Sequence, residues 1–320
     1  MKKLLSVFLL IVLVLSFTSC SKDKNENKSD KLSVVATIYP YYDFAKNILG
    51  DKGDVKLLLS PGTEPHHFEP SPSDIVDIED CDIFIYNGGE SDEWVENVLK
   101  SIENKDIQVL KMMDYVDLLC IEEEHTHSDD KNNDSSKHSH NHEHGEYDEH
   151  IWTSINNAML ISSVIYDNVS NIDIEHSDFY KSNFESYCNK LIKLDNEFNN
   201  IVSLSKRKTI VFGDRFPLLY FTNDYNIDYV SAFPGCSSET EPSISTITHL
   251  IDFVRDENIP VIFHLDFSSG KIAKLISEDS NAKVELFYSC HNVTTKQFEN
   301  GESYISLMKH NAEVLKEALL

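Results

Sequence analysis

Histidine is concentrated in one part of this sequence. Seven of the 14 His residues lie between positions 125 and 150, and the run from His138 to His144 has one at every second position. Imidazole is a common ligand of zinc, copper and nickel, whereas Mn²⁺ and Mg²⁺ prefer oxygen. We predict that this tract captures such ions weakly and at several places; the alternative is a solvated charge run. The predicted capture residues are His125, His127, His138, His140, His142 and His144.

The surrounding stretch, residues 122–149, cannot fold around a core of its own. It has no aliphatic side chain, and its single aromatic residue is Tyr147. A segment this poor in apolar surface cannot offset the entropy of ordering its backbone. We therefore predict a disordered surface loop.

Two His positions outside the tract could hold a metal more firmly. His66 lies in the loop from Gly62 to Pro72, which three Pro residues stiffen, and a rigid loop loses little entropy when it binds an ion. His150 lies where the polar loop gives way to Ile151 and Trp152, so its ring could be fixed in place. For His66 the alternative is an ordinary loop with a surface His. For His150 the alternative is that it is only the last His of the disordered stretch.

The overall charge argues against one class of partner. The chain has 320 residues, with 28 Lys and Arg against 54 Asp and Glu, and a formal charge of −26. Nucleic acid would be repelled by such a chain. A protein that handles cations, or one that is simply very soluble, fits better.

The N-terminus has the pattern of an export signal. Lys2 and Lys3 precede an apolar run from Leu4 to Phe17, which is followed by Thr18-Ser19-Cys20. The run is shorter than the roughly 20 residues of a membrane-spanning helix. We predict a lipoprotein signal over 1–19, a lipidated (palmitate-bearing) Cys20 and a flexible tether over 20–32, which would hold the protein on the outside of the cytoplasmic membrane. The alternative is a plain signal peptide with a chance Cys.

The rest of the chain alternates between short apolar runs and helical patterns. This alternation predicts an α/β fold with parallel sheets. Apolar side chains from Tyr180 to Leu204 recur every three or four residues, as on one face of a long helix. We predict two α/β lobes, over 33–152 and 207–320, and a helical region over 153–206 whose long rigid helix joins them.

Several motifs together resemble one known family, the zinc and manganese solute-binding lipoproteins of bacterial metal ABC importers. The resemblance covers nearly all of residues 33–320. The motifs that carry it are Gly62-Thr63-Glu64-Pro65-His66, Phe68-Glu69-Pro70-Ser71-Pro72, the His-rich loop, Asp148-Glu149-His150-Ile151-Trp152, Thr240-Glu241-Pro242-Ser243 and Tyr304 to Asn311. The resemblance implies two lobes joined by a long helix, with one metal ion between them.

The resemblance also implies a set of ligands. His66 and His150 match the family's first two His ligands by position. Gly213 stands where the third His is expected, so that ligand is missing or has moved. Asp214 is the nearest substitute, although a salt bridge between it and Arg215 is an equal alternative.

The family's fourth ligand is an Asp or Glu of the second lobe. Asp266, after a predicted strand, could fill this role, with His264 as the second choice. His291 has no counterpart in the family that we would rely on, but it could supply the imidazole that position 213 lacks. Cys236 and Cys290 both follow second-lobe strands; a disulfide, a Cys–metal contact and free buried thiols are the alternatives for them.

These observations predict a monomeric binding protein that captures Zn²⁺, or alternatively Mn²⁺, and delivers it to the membrane permease of an ABC transporter. We do not expect an enzyme. The alternatives are a secreted zinc-dependent hydrolase, which would need an open zinc position and an oriented base, and a surface adhesin. The sequence has no His-Glu-x-x-His helix, which weighs against the hydrolase.

Overall fold

The alternating pattern of the sequence produces two parallel sheets. The computed structural model describes residues 31–64, 68–104, 106–121, 147–233 and 242–320. The strands of these residues are, in chain order, β1 (Leu32–Ala36), β2 (Gly53–Leu57), β3 (Ile83–Tyr86), β4 (Gln108–Lys111), β5 (Thr209–Phe212), β6 (Asp228–Ser231), β7 (Val261–Leu265) and β8 (Lys283–Phe287).

Helices occupy most of the intervals between these strands. The helices of the described residues are α1 (Tyr39–Leu49), α2 (Pro72–Asp80), α3 (Glu93–Ser101), α4 (Ile155–Ile172), α5 (Ser177–Ser203), α6 (Leu219–Tyr225), α7 (Ile244–Asp256), α8 (Lys271–Ser280), α9 (Thr295–Glu299) and α10 (Tyr304–Leu319). Local capping sets several helix starts: Ser71 and Asp74 form a capping box at α2, and the Ser243 side chain caps α7. Both starts agree with the sequence pattern.

The two sheets share one topology. The first has the order β2-β1-β3-β4 and the second β6-β5-β7-β8, and the strand pairs are parallel. In each sheet the second strand along the chain is added on one side of the first strand, and the third and fourth strands are added on its other side. The reversal lies between β1 and β3 in the first sheet and between β5 and β7 in the second. Parallel sheets bind ligands at the carboxyl ends of the strands on either side of such a reversal.

The long helix predicted between the halves is α5. It spans 27 residues and buries Tyr187, Leu191 and Phe198 on one face. It packs against α4, α1 and α10, so helices of both halves lie against it. Leu204 departs from the pattern, being 61% exposed because α5 ends at Ser203.

The predicted fold class, two parallel-sheet α/β halves with a long helix, is confirmed. One hydrophobic cluster contains buried residues of both sheets and of α5, and residues 32–320 form one unit. The predicted boundaries 33–152, 153–206 and 207–320 stay predictions. Most of the predicted loop over 122–149 lies outside the described residues, as do the signal segment and Cys20. In the described part of the chain, no helix has the length and apolar character to span a bilayer.

A buried carboxylate lies where α1 meets α5. Asp43 of α1 is 7% exposed, and the Tyr187 hydroxyl donates to its Oδ2 at 2.9 Å. Burial disfavours the charged form and raises the pKa of Asp43 to about 6, although the Tyr187 hydrogen bond lowers it in part. The folded protein therefore holds a proton on Asp43 at a pH where the unfolded chain has lost it.

We expect Asp43→Asn to change the pH dependence of stability. Because the pKa of Asp43 is raised on folding, its ionisation makes unfolding easier as pH rises from about 4 to about 6. The free energy of unfolding of the wild type, relative to the variant, should fall by about 3 kcal/mol across that window. Urea denaturation at several pH values measures this, with the exposed Asp51→Asn as control. A constant difference between wild type and variant would contradict the expectation.

Candidate metal centre

Two carboxylates lie at the chain reversal of the second sheet. Asp214 follows β5 and Asp266 follows β7, which is its neighbour in the sheet. The Oδ2 atom of Asp214 accepts a hydrogen bond from the Leu265 N–H at 3.1 Å, and its Oδ1 accepts one from the Arg215 N–H at 2.9 Å. Backbone amides therefore fix both oxygens of Asp214.

Asp266 is satisfied at only one of its oxygens. Its Oδ1 accepts the Ser289 N–H at 2.7 Å, whereas its Oδ2 is buried and has no hydrogen-bond partner among the described residues. Burial raises the pKa of Asp266 to about 6, the Ser289 hydrogen bonds lower it in part, and the negative charge of Asp214 adds to the increase. A buried acceptor of this kind favours a cation beside it.

His150 is held by its own local sequence. The Asp148 Oδ1 atom accepts the His150 N–H at 2.7 Å and lies 3.0 Å from His150 Nδ1. The ring is buried, with 3% of the residue exposed. The carboxylate at Nδ1 directs the opposite nitrogen, Nε2, away from Asp148, which is the usual arrangement of a metal-binding His.

His291 comes from the other half of the chain. It follows β8, and its residue is 6% exposed. Cys290, just before it, has a left-handed backbone with φ of 60°, which is uncommon outside Gly and Asn. The Tyr39 N–H donates to the His291 carbonyl at 3.4 Å, so a contact from α1 of the first half helps to hold this loop.

These four side chains line one cavity. Its volume is about 30 Å³, which is room for roughly one ion or water-sized group. The His150 and His291 ring centres are 5.8 Å apart, with the rings at 87°. Two imidazoles that bind one tetrahedral zinc at about 2 Å hold their centres roughly 5 to 6 Å apart. The cavity is lined by Glu64, His150, Asp214, Arg215, Pro217, Leu265, Asp266, Phe267, Ser268, Ser289 and His291.

An ion pair crosses the rim of this cavity. Arg215 Nη1 lies 3.6 Å from Glu64 Oε1, and Glu64 belongs to the loop between β2 and α2. Arg215 therefore pairs with Glu64, a residue far from it in the chain, whereas its neighbour Asp214 was the partner expected from the sequence. Opposite charges in the loops that follow β2 and β5 were the available signal, but only the fold brings them together.

The backbone at Gly213 explains the missing third His. A Cβ added there would lie 2.4 Å from Ala273 Cα and 2.6 Å from Ala273 N of α8. No side chain fits that space unless α8 moves, so the imidazole expected from the family pattern is excluded here. Asp214, the next residue, lines the cavity instead.

Two other predictions have different outcomes. His264, the second choice to Asp266, has its Nδ1 3.0 Å from the Leu265 carbonyl and is not among the cavity-lining residues. Cys290 is a buried free thiol in the core shared by both halves, which is the third of the alternatives given for it. Cys236 lies outside the described residues.

The remaining predicted ligands fall outside the described residues. These are His66 and the capture residues His125, His127, His138, His140, His142 and His144. Within residues 31–64, 68–104, 106–121, 147–233 and 242–320, no three His, Cys, Asp or Glu side chains lie close enough together to hold a metal ion. The described site is therefore an incomplete ligand set around a small acidic cavity.

Comparisons with known proteins agree with this architecture. The model of the family described as "Zinc-uptake complex component A periplasmic" (ZnuA) matches residues 34–318. The zinc-binding protein AdcA of Streptococcus pyogenes serotype M3 is 30% identical over 99% of this chain, and the match spans 61% of AdcA. The high-affinity zinc uptake system protein ZnuA of Bacillus subtilis is 30% identical over all of this chain and 98% of its own length.

A solved structure has the same fold. The Zn(II)-bound ZnuA-like domain of Streptococcus pneumoniae AdcA aligns with a TM-score of 0.73 and 28% identity. The alignment covers 90% of this chain and 99% of that domain. This chain thus spans less than two thirds of the AdcA proteins that it matches but nearly the whole of this domain.

We expect Gly213→Ala to destabilise the protein. The added methyl group would meet the backbone of Ala273, and overpacking of this kind costs about 1–3 kcal/mol. Gly213→His should destabilise it further and should not tighten zinc binding. Urea denaturation and zinc titration of both variants test this. A Gly213→His protein that is stable and binds zinc more tightly would show that α8 yields to the side chain.

Proposed function

We propose that this chain, which belongs to the zinc-uptake complex component A family, captures Zn²⁺ outside the cytoplasmic membrane and delivers it to the permease of an ABC transporter. One observation carries the proposal: His150 from the first half and His291 and Asp266 from the second line a cavity the size of one ion. The names of the relatives support zinc as the cargo.

We assign His150, His291 and Asp266 as ligands, with His66 as the fourth. Because no three of the described side chains already lie close enough together to hold a metal ion, this assignment requires the ligands to move closer to one another when the ion binds. Three imidazoles and one carboxylate suit tetrahedral zinc better than manganese, which prefers oxygen. Asp214 is the weaker carboxylate candidate, because backbone amides already occupy both of its oxygens. We assign to Asp214 an electrostatic role, adding negative charge beside the cation.

A binding protein fits these residues better than a hydrolase. A catalytic zinc keeps an open position for water and a base that orients it. Glu64, the acid that could serve as such a base, is in an ion pair with Arg215. The adhesin alternative has no supporting feature in the described part of the chain.

Two further segments, the N-terminal one with Cys20 and the His tract within 122–149, have proposed roles in membrane anchoring and in the first capture of zinc. We propose that Cys20 is lipidated and that residues 20–32 tether the binding unit to the membrane. We propose that the His tract within 122–149 captures zinc weakly before the ion reaches the cavity, because imidazole is a common zinc ligand. The permease would then receive the ion from the cavity and not from the tract.

We expect His150→Ala and His291→Ala each to weaken zinc binding by more than roughly 100-fold, because each removes a ligand nitrogen from a closed shell. Asp266→Asn should weaken it by about 10-fold or more, since the amide keeps the shape but loses the charge. Competition titration of the purified protein with a zinc chelator measures these affinities.

His249→Ala is the matched control, because His249 is an exposed imidazole on α7. It should leave the affinity unchanged. Tight zinc binding that survives both the His150 and the His291 substitution would contradict the proposed ligand set. The same titration with manganese tests the choice of metal.

We expect deletion of residues 122–146 to remove the weak extra ions and to keep one tight site. The residues that flank the deletion lie together: Cys120 and Tyr147 form an antiparallel bridge, and the Asp148 N–H donates to the Leu119 carbonyl at 2.9 Å. Rejoining them should cost little stability. Zinc stoichiometry by metal analysis checks this, and loss of all tight binding would move the cargo site to the tract.

A further inference from the structure

We propose that Trp152 is a positioning residue of the metal centre: it joins the His150 segment to the loop that carries His291 and so sets the spacing of the two imidazoles. This inference rests on the proposed function and deepens it. It concerns how the site keeps its shape rather than which atoms touch the ion.

The Trp152 backbone and side chain each bind a different part of the second half. The residue is 1% exposed. Its Nε1–H donates to the Ser289 carbonyl at 3.0 Å, and its own carbonyl accepts the Tyr304 hydroxyl at 2.7 Å. Trp152 is therefore fixed at two points to residues that follow β8 and begin α10.

Ser289, which Trp152 holds, in turn forms hydrogen bonds with Asp266 and His291. Its N–H donates to Asp266 Oδ1 at 2.7 Å, and its Oγ accepts the His291 N–H at 3.3 Å. Ser289 thus binds Trp152, Asp266 and His291 through three different atoms. A displacement of the indole would move the segment on which the second-half residues depend.

The indole also contacts both imidazoles directly. Its centroid lies 4.6 Å from that of His291 and 5.3 Å from that of His150. Tyr41 packs edge-on against it at 6.4 Å, with the rings at 89°. Both His rings therefore contact the Trp152 indole, and Tyr41 packs against the same indole. These contacts limit how far each imidazole can rotate.

The alternative is that Trp152 is an ordinary core residue. The chain contains one other Trp, Trp94, and the comparison is informative. Trp94 packs against Phe68 at 5.7 Å and Phe84 at 6.5 Å, and its Nε1 has no hydrogen-bond partner among the described residues. Trp94 does not line the cavity, so it provides a matched control.

The test is Trp152→Phe beside Trp94→Phe in the full chain. Trp152→Phe keeps a ring but removes the donor to Ser289. Removing a residue that orients metal ligands typically costs 10- to 100-fold in affinity, and we expect zinc affinity to fall by that factor in Trp152→Phe and not in Trp94→Phe. X-ray absorption at the zinc edge should show fewer bound imidazoles in the Trp152→Phe protein only.

Fluorescence gives a second readout that needs no change at Trp152. In Trp94→Phe the only indole is Trp152, and its emission should change as zinc saturates the site. In Trp152→Phe, emission from Trp94 should stay constant. This measurement stands even where Trp152→Phe folds poorly.

Three outcomes would overturn the inference. The first is a folded Trp152→Phe protein with wild-type zinc affinity and an unchanged X-ray absorption spectrum at the zinc edge. The second is Trp152 fluorescence that does not change on zinc addition in Trp94→Phe. Both can occur while His150→Ala and His291→Ala still abolish tight binding, so the proposed function would survive. The third, a wild type that does not bind zinc tightly, would overturn both.

Discussion

A buried carboxylate oxygen without a hydrogen-bond donor governs the centre of this molecule. Asp266 Oδ2 has no partner among the described residues, and the negative charge of Asp214 acts on the same carboxyl group. Such an arrangement is costly when the cavity is empty, because buried negative charge needs compensation. A divalent cation, the proposed cargo, would supply that compensation.

The two parallel sheets make this arrangement possible. Asp214 follows β5 and Asp266 follows β7. These are the two neighbouring strands at which the strand order of the second sheet reverses. At such a reversal, a crevice forms outside the carboxyl ends of the two neighbouring strands. The first half then closes the crevice with His150 and with the ion pair between Glu64 and Arg215. The cavity depends on both halves, and the shared core with α5 holds them together.

The neighbours of the metal-centre residues are as specific as those residues themselves. Asp148 orients His150, Ser289 holds Asp266 and His291, and Trp152 contacts both imidazoles. Partners of this kind set ring orientation and ligand spacing. In the proposed function, such partners would hold the ligands in one geometry, which suits selective capture of one ion.

The sequence by itself determined the fold class and the long helix, and it singled out four of the residues that line the cavity, His150, Asp214, Asp266 and His291. The alternation of short apolar runs and helical patterns predicted parallel sheets, and the apolar spacing from Tyr180 to Leu204 predicted the long helix α5, because burial of one face leaves a local trace in the sequence. Tertiary structure alone decided that His264 turns away and that Cys290 lies in the core as a free thiol. It also decided that Gly213 is packed too closely against α8 to bear an imidazole, and that Glu64 meets Arg215. These outcomes depend on contacts between residues far apart in the chain, and no local pattern records the distance between them.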